Sequence, residues 1–269
     1  FLDSLNPYNG NLLLGLYPNA AAAYSLRQLN PTYTGSAIRV RRSSDNAEQD
    51  IALVGGVLDT SSLLTFTGVG DGFVAIWYDQ SGNANNAAQA TAASQPKIVS
   101  SGNILSLNSK PCINFDGIND YLVSAYIVDA NADYGNFYAL STSNTGDKYI
   151  LASVTDSSNR YAIGVNSSSN FQSTKRTASI LNNSIAYSSG QVLLSDNNTP
   201  LIYKNNVVGG LSGTLNNAFA SGSYTNIGAN LSGTNPILSS MQEIIMYASD
   251  KSTNRTTIET NVNDYYGIY

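Results

Sequence analysis

Asp116, Asn119 and Asp120 put three oxygen-bearing side chains into one short segment, Phe115-Asp116-Gly117-Ile118-Asn119-Asp120. Oxygen ligands at such close spacing suit a hard cation such as calcium. Turn chemistry uses the same residue types, because Asp and Asn side chains accept backbone N–H groups a few residues ahead. Without further spaced acids the expectation is a turn and no cofactor. A second group, Trp77-Tyr78-Asp79-Gln80-Ser81-Gly82-Asn83, joins two aromatic rings to a carboxylate. Trp77, Tyr78, Asp79 and Asn83 could contact a sugar directly, or they could be framework. In the framework reading the strand period sends Trp77 and Tyr78 to opposite faces, Asp79 accepts backbone N–H groups across the following turn, and Gly82 takes positive φ there. The third group sets Arg39, Arg41 and Arg42 close to Asp45, Glu48 and Asp50. It reads as a solvated ion-pair network, with a clamp for a carboxylate-bearing ligand as its alternative.

Residue supply excludes much other chemistry. The 269 residues contain no histidine and one cysteine, so Ser-His-Asp triads, Cys-His pairs and the usual zinc sites are ruled out. Cys112, in Pro111-Cys112-Ile113-Asn114-Phe115, is expected to be a small buried hydrophobe on a strand. Charged residues make up 12% and the net charge is −5, which leaves no field to attract nucleic acid or anionic lipid. No apolar run is long enough for a membrane span and no signal peptide is visible. A start at Phe1 rather than Met suggests a processed product or the ordered part of something longer.

The elements that must position these groups are mostly strands. Residues 1–15 read as a lead-in or anchoring segment, with Leu12-Leu13-Leu14 as a short apolar grip, and residues 16–269 as one β-sandwich domain. Ala20 to Leu29 favours a short helix, Ala37 to Arg41 alternates as a half-buried strand, and Asp59 is placed to cap a helix through Leu64. Gly72 to Asp79 is a stronger strand, and further strands are expected at Cys112–Phe115, Tyr121–Ser124, Asn136–Ser141, Lys148–Val154, Tyr161–Val165, Val192–Ser195, Leu201–Tyr203 and Ile237–Tyr247. Ile258, Val262 and Tyr265 recur at helical spacing and predict a closing amphipathic helix. The fold class expected is all-β, a sandwich with a few short helices.

Phe115-Asp116-Gly117-Ile118-Asn119-Asp120-Tyr121-Leu122, with Gln242-Glu243-Ile244-Ile245-Met246-Tyr247, resembles the concanavalin A-like or laminin-G-like jelly roll. Tyr24-Ser25-Leu26-Arg27, Ile38 to Asp45 and Trp77 to Asn83 resemble the catalytic domain of arabinofuranosidase B-type enzymes, densely up to about Asp120 and thinly beyond. The same N-terminal block is similar to segments of bacteriophage tail and virion proteins. Retaining hydrolysis needs two carboxyl groups flanking the scissile bond. The resemblance puts the nucleophile near Val165 to Ser169 and the acid/base in Gly228 to Gly233, and neither stretch contains Asp or Glu. From Ser157 through Ser195 there is no acid at all.

The expectation drawn from this is a non-catalytic structural module of a bacteriophage virion, a fibre, spike, tail or capsid-surface component. It would sit at the virion surface, with other virion proteins and host-surface glycans as partners, as a homo-oligomer or as part of a symmetric assembly. A secreted bacterial carbohydrate-binding domain is the first alternative. The second is an active arabinofuranosidase with displaced acids such as Asp156, Asp196 or Glu243.

Overall fold

The computed structural model describes residues 12–129, 132–143, 146–154, 160–176, 180–186, 190–197, 201–213, 224–230 and 233–269. Asp156 and most of the expected lead-in lie outside them. In chain order the principal elements are α1 (Leu13–Leu16), β1 (Ala20–Ser25), β2 (Ser36–Arg42), β3 (Glu48–Val54), α2 (Thr60–Thr67), β4 (Gly72–Trp77), β5 (Lys97–Ser100), β6 (Ile113–Asp116) and β7 (Leu122–Ser124). They continue with β8 (Gly135–Thr142), β9 (Lys148–Val154), β10 (Arg160–Val165), β11 (Asn170–Arg176), β12 (Ile180–Ala186), β13 (Gln191–Asn197), β14 (Ile202–Lys204), β15 (Tyr224–Ile227), β16 (Leu238–Tyr247) and α3 (Arg255–Tyr266).

Antiparallel pairing arranges the strands as two layers. The first runs β3-β2-β4-β5-β6-β16-β8-β13-β14, with β1 on the same edge of β16 as β6. The second runs β7-β15-β9-β10-β11-β12. A two-residue strand, Ala87–Ala88, pairs with both β4 and β7 and joins the layers. This is the expected all-β sandwich.

Alternation decides which side chains fill it. Ile38, Val40, Val74, Ile98, Ile113, Phe115, Tyr138 and Ile244 of the first layer are buried against Leu122, Ile150, Tyr161, Ile163, Phe171 and Ile227 of the second. A polar bridge crosses the same interior: the Tyr161 and Ser173 hydroxyls donate to Asp196 Oδ2 at 2.6 and 2.7 Å, and Asn136 Nδ2 donates to the Tyr161 hydroxyl at 2.9 Å. Burial, then the nearby Asp196 charge, pushes the Tyr161 hydroxyl well above its ordinary value and keeps it a donor.

The outer face of the first layer is covered over half its width. Phe137, Ala139, Leu193, Ile245 and Tyr247 pack there against Ile258, Val262 and Tyr265 of α3 and against Leu13 and Leu14 of α1. The apolar grip of the N-terminal segment thus docks on this domain itself. The expected closing helix is present, and so is the short helix capped by Asp59, whose side chain accepts from Ser62 N at 3.0 Å. Ala20–Leu29 is a correction: Ala20–Ser25 is a strand, because pairing with β16 supplies hydrogen bonds and burial that outweigh the helix preference of an alanine run. The uncovered half of the outer face, over β2, β4, β5 and β6, is where an open cleft forms.

Candidate active site

The Trp77–Asn83 block holds β1 in place. Asp79 Oδ1 accepts from the backbone N–H groups of Ala23 and Ser81, each at 2.8 Å, and Oδ2 accepts from Asn85 N at 2.9 Å. Gln80 reads the backbone beyond β1, accepting from Leu29 N at 2.8 Å and donating to Arg27 O at 2.9 Å. Asn83 Nδ2 donates to Ala20 O at 3.0 Å, and Gly82 takes φ +96 in the turn. Trp77 is fully buried beside the Tyr24 ring, 5.8 Å between centroids, so it has no face for a sugar. Tyr78 points the other way and donates to Asp50 Oδ1 at 2.7 Å.

The arginine cluster divides. Arg39 pairs with Asp50 and Arg42 with Asp45, both at the surface. Arg41 is buried down to 9% exposure and meets neutral groups only: Nε donates to Gln95 Oε1 at 2.7 Å, Nη1 to Asn46 Oδ1 at 2.8 Å and Nη2 to Ala92 O at 3.1 Å.

Strand register then builds a row. Arg41 pairs with Phe73, Phe73 with Lys97, and Lys97 with Asn114, so four adjacent strands present these side chains in line on the outer face. Phe73 lies between two cations, with the Arg41 guanidinium 4.6 Å and the Lys97 ammonium 5.4 Å from its ring centroid. Lys97 is held by Asp71 at 2.7 Å. Asp116 follows two residues after Asn114 and so shares its face.

These side chains line a cleft of about 450 Å³ together with Asp120, Ala92 and Gln95. At its acidic end the Asp116–Asp120 turn is closed by its own backbone. Asp116 Oδ1 accepts from Ile118 N at 2.8 Å and Asn119 N at 3.2 Å, Asp120 Oδ2 accepts from Asp116 N at 2.9 Å, and Asn119 Nδ2 donates to Ala93 O at 2.8 Å. Among the described residues no group of three or more acids and cysteines converges on a metal position. Asp120 is only 6% exposed, and burial pushes its carboxyl up to about 7; the Asp116 charge adds to this, while the Asp116 N–H and Lys97 pull the other way. The turn was legible in the sequence, but the burial of Asp120 was not, since the cleft wall comes from strands distant in the chain.

The acids considered as displaced catalysts behave differently. Glu243 is 1% exposed and locked to Arg27, which donates from Nε at 2.8 Å and Nη2 at 3.0 Å. Asp196 is 2% exposed inside the sandwich. Neither lines the cleft.

The stretches where the resemblance implied catalytic acids are also placed. Val165 ends β10, and the Asn166 side chain accepts from Ser168 N and Asn170 N in the turn that follows. Gly228, just after β15, packs so closely that a Cβ there would lie 2.4 Å from the Phe115 ring, and one at Gly233 would lie 2.8 Å from the Tyr121 ring. Gly228 and Gly233 therefore abut the segment that carries Asp116 and Asp120; Leu231 and Ser232 between them lie outside the described residues.

A family described as Alpha-L-arabinofuranosidase B, catalytic, matches residues 14–167. The chain is 40% identical over 75 residues to Alpha-L-arabinofuranosidase B of Penicillium canescens, a stretch that is 27% of this chain and 16% of that enzyme. A GH54 arabinofuranosidase soaked with a cyclic sulfate inhibitor superposes with TM-score 0.67 at 16% identity, covering 90% of this chain and 62% of the other. An arabinofuranosidase complexed with arabinofuranosyl-alpha-1,2-xylobiose gives TM-score 0.68 with the same identity and coverage. The chain thus spans less than two thirds of the proteins it matches.

These findings overturn the expectation of a non-catalytic bacteriophage virion module, and with it the virion surface and the reading of the chain as no enzyme. The matched family is one of catalytic domains, and a low-charge composition rich in Ser and Asn is no mark of a capsid. Matched over more than half of its length, the chain belongs to the α-L-arabinofuranosidase B catalytic-domain family.

Proposed function

We propose that this chain is a glycoside hydrolase domain that cleaves α-L-arabinofuranosyl bonds, with its acid chemistry in the cleft over β2, β4, β5 and β6. The observation that carries the assignment is Asp120. A glycosidase acid must hold its proton at the working pH, and Asp120 is a cleft-lining carboxyl that burial holds near 7. Asp116, four residues earlier on the same wall, supplies the second carboxyl that the reaction requires. The close packing of Gly228 and Gly233 on Phe115 and Tyr121 supports a local displacement, in which the acid sits across the contact from the place the resemblance implied.

In this reading Asp120 donates its proton to the departing glycosidic oxygen. Asp116 faces the positive charge that develops on the arabinofuranosyl ring and directs the attacking group. The family and the low-charge surface support a secreted location, where polysaccharide is met. The test is release of 4-nitrophenol from 4-nitrophenyl α-L-arabinofuranoside by the purified chain. Turnover that Asp120→Asn reduces at least about a hundredfold is expected; binding without turnover contradicts the proposal.

A further inference from the structure

Arg41 stands apart from the other arginines whose side chains are described. Arg27, Arg39, Arg42 and Arg255 each carry a carboxylate partner at 2.6–2.8 Å. Arg41 is more secluded than Arg39, Arg42 and Arg255, yet its three hydrogen bonds go to two side-chain amides and one backbone carbonyl. None of these neutralises its charge, and two of its N–H donors are left over. Glu48, its register partner on β3, is exposed and makes no ion pair with it, and a secluded cation without a bound anion is costly to keep. It lines an open cleft instead of being sealed in the core, so a ligand can reach it.

The surroundings fix the guanidinium rather than satisfy it. Gln95 is itself held, its Nε2 donating to Gln89 O at 2.8 Å, and Phe73 supports the guanidinium plane from one side. The second cation of the cleft, Lys97, is already neutralised by Asp71. The acids Asp116 and Asp120 belong to the far end of the row. Three strand spacings separate Arg41 from Asn114, about 14 Å, which is the reach of a short oligosaccharide and not of one ring.

We propose that the cleft takes an arabinofuranosyl-bearing oligosaccharide that also contains a hexuronic acid, and that Arg41 receives the carboxylate of that uronic acid. The inference rests on the hydrolase reading for the arabinofuranosyl end, but Arg41 acts on binding alone. A planar guanidinium with two free N–H groups matches a carboxylate better than a hydroxyl, and a carboxylate bound there avoids Asp116 and Asp120.

The test is calorimetric binding of an aldotriouronic acid, xylobiose bearing a single glucuronic acid, and of the same trisaccharide with its carboxyl reduced to a primary alcohol, both to the wild-type chain. The acidic form is expected to bind at least about tenfold tighter, with a preference that falls as salt rises. Arg41→Gln should bring the acidic form down to the affinity of the reduced one while leaving the reduced form unchanged. Equal affinity of the two forms for the wild-type chain overturns the inference and needs no variant to fold; so does absence of binding by either form. Neither result bears on hydrolysis of a neutral arabinofuranoside, which is read separately.

Discussion

Replacing Asp120 by Asn should stabilise the protein in alkaline solution and leave it unchanged in acid. The folded chain holds the Asp120 proton up to about pH 7, against an ordinary value of 3.8. Below 3.8 both folded and unfolded chains are protonated at this site, and it costs nothing. As pH rises the unfolded chain releases the proton first, so folding loses stability until the folded carboxyl also ionises. At 1.36 kcal/mol per pH unit the loss is about 1.6 kcal/mol at pH 5 and about 4 kcal/mol at pH 8. That is a large share of the roughly 5–15 kcal/mol that holds a domain folded. Asparagine is neutral throughout, and its amide oxygen can still accept from Asp116 N. Urea unfolding of the wild type and Asp120→Asn at pH 3, 5 and 8 should show a gap that opens from near zero to about 4 kcal/mol in favour of the variant. A gap that does not change with pH, or a variant less stable at pH 8, refutes the reasoning.

Other perturbations test the frame around the cleft. Asp79→Ala removes the acceptor of three backbone N–H groups, and chemical denaturation should show a loss of about 2–4 kcal/mol. Arg27→Met leaves Glu243 charged and buried without its bidentate partner, and a cost of about 3–5 kcal/mol is expected in the same assay. Cys112 is 1% exposed and burial pushes its thiol up to about 11, so a chromogenic disulfide reagent should leave it unmodified in the native protein and react on unfolding.

Periodicity made the sandwich legible. Strands such as Gly135–Thr142 and Leu238–Tyr247 stand out because their residues are apolar on both faces, one face meeting the second layer and the other meeting α3. Glu48–Val54 and Asn170–Arg176 gave no such signal, since the first opens on three polar residues and is mostly exposed, the second has a single apolar residue, and neighbouring strands supply much of what holds them. Ala20–Ser25 misleads for a related reason: its conformation is dictated by Asp79, Gln80 and β16, all distant in sequence.

The site divides in the same way. The turn chemistry of Asp116, Asn119 and Asp120 is local and could be read from residue types. The row Arg41, Phe73, Lys97 and Asn114 exists only through register between strands, and no spacing along the chain announces it. The stretches where the resemblance implied acids hold none, yet the chain matches a family of catalytic domains; the proposed acid, Asp120, lies on the segment packed against Gly228 and Gly233, a neighbourhood that only the fold creates.

The proposed role of Asp120 as proton donor is read from the pH dependence of kcat/KM for 4-nitrophenyl α-L-arabinofuranoside. Turnover should fall above about pH 7 as Asp120 ionises, with that limb abolished and the rate cut at least about a hundredfold in Asp120→Asn. Undiminished turnover in Asp120→Asn, or none by the wild-type chain at any pH, would contradict that role.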